Sequence, residues 1–168
     1  PYPKSSVIIN PKKNTDYGEY DYLCSTTLTY FFIDIVILKM KSKFKLSDFL
    51  IYVLLATVCD VMPLRKLNKI LTSNVLRNFK LENNLAFKTI FDELSLKKKL
   101  TVEDLGFLIG PIINSGGRLG YSNYGTELLT SNNKDTLQKK TSELINLNNK
   151  RKKLEKNILN EINFTKIS

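Results

Sequence analysis

The chain has 168 residues, a formal net charge of +10 and no histidine. That length suffices for one domain with a real core, or for a piece of a larger one, and without histidine no Ser–His–Asp or Cys–His nucleophile can be assembled. The uncharged runs Leu23 to Ile33 and Phe49 to Cys59 are 11 residues each, and no uncharged run exceeds 13, short of the roughly 17–25 that a membrane-spanning helix needs, so no membrane partner is expected. The charge itself is ambiguous. Of 26 basic residues 22 are lysine, accompanied by 17 asparagines, a bias that coding composition explains as well as a phosphate-binding surface does. Arginine is preferred for bidentate phosphate recognition, so Arg65, Arg77, Arg118 and Arg151 are the more informative cations. Two cysteines, Cys24 and Cys59, lack metal-like spacing, and a reducing cytoplasm is the simplest setting. The opening PYPKSS carries neither an initiator methionine nor a secretory h-region and reads as an internal or processed segment.

In chain order, Ser6 to Ile9 is a short β-prone run stopped by Asn10–Pro11, and Lys12 to Asp21 is a polar loop. Leu23 to Leu38 lacks clean alternation and is long for a strand, which predicts a mostly buried helix. After a basic connection, Ser47 is placed to cap a helix running to Cys59, with Asp48 in its first turn and Pro63 marking its end or a turn beyond. A helix is predicted over Leu67 to Phe79, with Ile70, Leu71, Val75 and Leu76 as its apolar face. Asn83 and Asn84 start another through Leu94, and Leu96 to Leu100 is a solvated turn. Thr101, with Asp104 at N3, predicts a capped helix from Val102 to about Ile109. GPIINSGGRLG, Gly110 to Gly120, is then expected to break regular structure, because adjacent glycines free the backbone to adopt φ > 0.

Asn133 can cap a long helix from near Lys134 to about Ile162. Leu137, Leu144, Leu147, Leu154, Ile158 and Ile162 form one apolar stripe along it, as either a heptad or a connector helix would require. Residues 131–168 hold nine basic and four acidic side chains.

Three features bear on chemistry. Asp60 ends the uncharged run FLIYVLLATVC and is followed closely by Pro63. A carboxylate at a helix C-terminus is mildly disfavoured by the macrodipole; it is either an exposed terminal aspartate or an oxygen ligand for magnesium or manganese. The second role needs companions, and Asp16, Asp21, Asp34 and Asp48 form no spaced cluster with it. In the Gly110–Gly120 segment, Arg118 could present a planar donor pair to a phosphate and Asn114 a further hydrogen bond; a structural turn with an exposed arginine is the other reading. The segment is neither a Walker A loop nor a Rossmann fingerprint. The cluster Lys150, Arg151, Lys152, Lys153 is a solvated helix face or a nucleic-acid contact, and the aromatic residues lie far from it in sequence.

Taken together, VIINPKKNTDYGEYDYLCSTTLTYFF, ATVCDVMPLRKLNKIL, GFLIGPIINSGGRLG and LINLNNKRKKLEKNI resemble, in order and spacing over about residues 7–162, the RecJ exonucleases of the DHH phosphoesterase family. The resemblance implies an α/β fold: a mostly helical distal part of a DHH-type catalytic domain over residues 1–130, then an interdomain connector helix over 131–168. It implies a metal-dependent 5′→3′ exonuclease acting on single-stranded DNA, a cytoplasmic hydrolase of DNA repair and recombination, with two manganese or magnesium ions in the intact site. By position, Asp60 matches a catalytic metal ligand, with Pro63, Leu64 and Asn68 in its supporting motif. Asn114, Gly117 and Arg118 match a substrate-binding loop in which the arginine meets phosphate.

The DHH motif, the other metal aspartates and the DHHA1-type domain lie outside the matched stretches. Inside them Ser25 and Thr26 replace small residues, Ile112 stands for a basic residue and Lys69 for arginine. The resemblance therefore implies a fragment that is inactive alone. The alternatives are a subunit of a split nuclease completed by a separate DHH-containing chain, and a non-catalytic nucleic-acid- or protein-binding remnant.

Overall fold

The structure is a computed structural model that describes residues 4, 7–12 and 18–165; Ser6 and Asp16 lie outside them. Every regular element among the described residues is helical, and the α/β class expected for the chain is corrected accordingly. The β-prone run has no regular structure at residues 7–10 and joins no ladder. Strand geometry is stable only when neighbouring strands take up its hydrogen bonds, and the described residues supply no such neighbours. The chain divides into two compact units, Pro1–Phe79 and Lys80–Ser168.

The first unit is built from α1 (Ser25–Lys39), α2 (Leu50–Cys59) and α3 (Lys66–Asn78). α2 packs against both α1 and α3. It buries Ile51, Val53, Leu54, Leu55 and Thr57, which is why its sequence is almost wholly apolar. A small polar knot sits in this core: the Cys24 thiol lies 3.3 Å from Thr27 Oγ1 and 3.6 Å from Thr57 Oγ1, and the Thr57 hydroxyl donates to the Val53 carbonyl at 2.8 Å. Ser47 does not cap α2. Leu46–Phe49 forms a 3-10 turn anchored by buried Leu46, which places Ser47 inside that turn and leaves Phe49 at the cap position of α2. The buried face of α3 also differs from expectation. It runs from Asn68 to Val75 with Leu71 and Thr72 half-buried between them, whereas Ile70 is 60% exposed.

The second unit contains α4 (Leu85–Glu93), α5 (Val102–Asp104), α6 (Gly110–Arg118), α7 (Tyr124–Thr130) and α8 (Lys134–Thr165). Asn84 caps α4 by accepting the Phe87 N–H at 3.0 Å, and Asn133 Oδ1 accepts from Thr136 N–H at 2.9 Å at the start of α8. Thr101 and Asp104 form the expected capping box. The first half of α8 packs on α4, α6 and α7, burying Leu137, Leu144 and Leu147. Beyond it, residues 152–162 are exposed throughout, Leu154 and Ile158 included.

The expected break at Gly110–Gly120 is absent. Leu105–Ile109 is a π-helical turn, and α6 continues directly from it to Arg118. Pro111 has no N–H for an i→i−4 bond, and the wider turn just before it accommodates that missing donor. The segment leaves the helix only after Arg118, through Leu119 at φ −118°, ψ 20° and Gly120 at φ +89°. The turn closes when the Tyr121 N–H returns to the Gly116 carbonyl at 2.8 Å.

Candidate functional site

In the first unit the site grows from the end of α2. The Asp60 N–H bonds the Ala56 carbonyl at 2.9 Å, that of Val61 the Val58 carbonyl at 3.1 Å, and that of Met62 the Thr57 carbonyl at 3.0 Å. This is a Schellman cap with Val61 in the left-handed position at φ +53°. A β-branched residue there is unusual, since its Cβ crowds the following carbonyl. Lys66, at φ +47°, is a second left-handed residue five positions on. Such strained positions persist where surrounding structure over-determines them, and they gather at functional sites.

Asn68 supplies that determination. It is buried, and its side-chain amide donates to the Pro63 carbonyl at 3.0 Å and to the Tyr22 carbonyl at 2.8 Å. One side chain thus ties the segment after Asp60 to the segment after Asp21. Its own Oδ1 is buried without a hydrogen-bond partner among the described residues.

Asp60, Asp21, Arg65, Lys12 and Pro63 line an open cleft of about 610 Å³. Asp60 is exposed. Asp21 is engaged by Arg65, whose Nη2 donates to Oδ1 at 2.9 Å while the guanidinium lies 5.4 Å from the Tyr22 ring centre. Both partners of that pair are more than half exposed, so it orients the groups and contributes little stability. Next to Asp60 the Cys59 thiol is pushed up by its burial and then by the Asp60 charge.

A two-metal centre needs several converging oxygen or nitrogen donors. Among the described residues no three of histidine, cysteine, aspartate or glutamate stand together, and the one other carboxylate in this cleft is paired with arginine. Asp34 and Asp48 are exposed on other elements. The residues present do not by themselves fit two metal ions.

In the second unit Asn114, Gly117 and Arg118 are all exposed on α6. Their i, i+3, i+4 spacing sets them on one helix face. The opposite face is buried through Ile112, Ser115 and Gly116. There the Ser115 hydroxyl lies 2.6 Å from the Ile112 carbonyl and 3.0 Å from the Leu144 carbonyl. Ile112, which stands where the resembled family has a basic residue, is thus a core residue here. Sequence reasoning did not foresee the Asp21–Arg65 pair or the role of Asn68 as a tie. The partners are 44 and 46 positions apart, and the one signal was a lone polar residue on the inward face of α3.

No family model matches the chain. It is similar to the single-stranded-DNA-specific exonuclease RecJ of Haemophilus influenzae, with 33% identity over 111 residues, and to that of Salmonella typhimurium, with 36% over 112. These matches cover 65% and 66% of this chain, and the chain spans 19% of the length of each of those relatives. The structure of RecJ in complex with Mn2+ from Thermus thermophilus superposes with a TM-score of 0.60 at 24% identity, over 68% of this chain and 17% of that one. Its complex with Mg2+ gives the same score. The likeness to the Thermus structures is one of fold. The chain is homologous to a segment of the RecJ single-stranded-DNA-specific exonucleases.

Proposed function

We propose that this chain is part of a metal-dependent single-stranded-DNA exonuclease of the RecJ type, in which it supplies one corner of the catalytic centre and is inactive by itself. The observation that carries this reading is the presentation of Asp60. A strained Schellman cap, held by Asn68, projects an exposed carboxylate into a cleft in which, among the described residues, no three metal-binding side chains stand together. In the Thermus protein the bound ions are Mn2+ and Mg2+, and Asp60 is the residue assigned here to such an ion. Arg118, with Asn114 and Gly117, is assigned to the phosphate backbone of the substrate, and the basic face of α8 adds nonspecific attraction for it. Residues 1–130 form the distal part of the catalytic region in this reading, and 131–168 the connector.

A separate DHH-containing polypeptide as the source of the missing ligands is favoured by α1, whose Phe32, Ile35 and Leu38 are exposed and available for such a chain to cover. The test is reconstitution. The chain is mixed with a polypeptide carrying the remaining RecJ segments, and release of nucleotide from a 5′-labelled single strand is followed in manganese. The expected result is cleavage by the mixture, lost with Asp60→Ala and reduced with Arg118→Ala. Cleavage unaffected by Asp60→Ala would remove the assignment.

A further inference from the structure

Glycine is among the least favourable residues inside a helix, and α6 holds two side by side. Gly116 has a reason within the protein: a Cβ there would lie 2.6 Å from the Tyr121 carbonyl oxygen and 3.2 Å from Leu144 Cδ2. Gly117 has none. A Cβ added to it would meet nothing within 4 Å among the described residues, its backbone is helical, and it does not share the positive φ of Gly120. Neither packing among the described residues nor turn geometry calls for glycine at this position.

Its neighbours on the same exposed face do suggest a reason. Asn114 offers an amide, and Arg118 offers a planar donor fork that makes no ion pair among the described residues. This is the C-terminal end of the helix, where the macrodipole opposes an anion, so a phosphate would depend on the arginine itself. We propose that Gly117 is a close-approach position, where a phosphodiester strand lies directly against bare helix backbone with Arg118 on a phosphate and Asn114 beside it. The inference rests on the assignment of this face to single-stranded DNA, and it adds that the absence of a side chain at residue 117 sets how near the strand can come.

Stability and binding should therefore move in opposite directions. With the full chain, binding of a fluorescein-labelled oligothymidylate is measured by anisotropy at low salt, beside thermal unfolding. Gly117→Ala is expected to raise Tm by about 2–4 °C, since alanine is the better helix former and has room. It should also weaken binding about fivefold or more, while Arg118→Ala weakens it about tenfold. A Gly117→Ala protein that binds as the parent does, with Arg118→Ala still impaired, overturns the close-approach role alone. A fall in Tm overturns it as well, by revealing an internal need for glycine. Parent-level binding by Arg118→Ala, or no binding by the parent chain, overturns the DNA-facing assignment and this inference with it.

Discussion

Val61 holds a backbone conformation that its β-branched side chain resists, with 87% of its surface exposed. Lys41 and Ser95 close α1 and α4 with the same left-handed turn, but neither is β-branched. Val61→Gly should relieve the strain and raise stability by about 1 kcal/mol, read as a higher urea midpoint with an unchanged slope; no gain would show that the left-handed turn is unstrained. Asn68 is the opposite case, a buried side chain whose two donated bonds fix the loop. Asn68→Ala should cost about 1–3 kcal/mol because the Tyr22 and Pro63 carbonyls lose their donor. Asn68→Asp should cost more, since a carboxylate would face both carbonyl oxygens; equal losses in urea denaturation would contradict that account. At this scale the sequence was partly legible. Asp60 and Arg118 stood out because an acid after an apolar run and an arginine after paired glycines are locally unusual. The Asp21–Arg65 pair and the Asn68 tie join distant positions and leave no local trace.

The elements divide along the same line. Thr101 and Asp104 were readable as a capping box because the signal lies within four residues. Burial opposes the charge of Asp104, but Lys98 Nζ at 2.5 Å and the Thr101 N–H and hydroxyl outweigh it, holding the carboxyl below its usual range. A depressed folded value contributes stability that is fully present above the unfolded value of about 3.9, and is lost as pH falls through the lower folded one. Asp104→Asn should therefore lower Tm at neutral pH, with about 1 kcal/mol lost at the cap, and should flatten the acid limb of a Tm-against-pH curve below about pH 4. A parallel acid limb in the variant would assign that limb to other carboxylates. The Gly110–Gly120 segment was misread because glycine and proline are strong punctuation in isolation. Burial of Ile112, Ser115 and Gly116 in the second unit, with a π turn ahead of Pro111, holds the segment helical against its local preference.

For the whole molecule, α1 and the distal half of α8 are amphipathic or apolar elements with exposed nonpolar side chains, among them Phe32, Ile35, Leu38, Leu154 and Ile158. Contiguous apolar surface promotes association, so Phe32→Lys with Ile35→Lys should lower self-association in light scattering while Tm stays within a degree or two of the parent. A large fall in Tm would instead make these residues part of the core. The helical content was legible because its periodicity is long and its caps are local. The α/β class was not, since strands exist only through partners and the described residues hold none for the run at residues 7–10. If Asp60 stands at one corner of an incomplete nuclease centre, the chain cannot cut DNA alone. Nucleotide release from a 5′-labelled single strand by the purified chain in manganese tests this. No release is expected; processive digestion that disappears with Asp60→Ala would show that the chain is a complete nuclease.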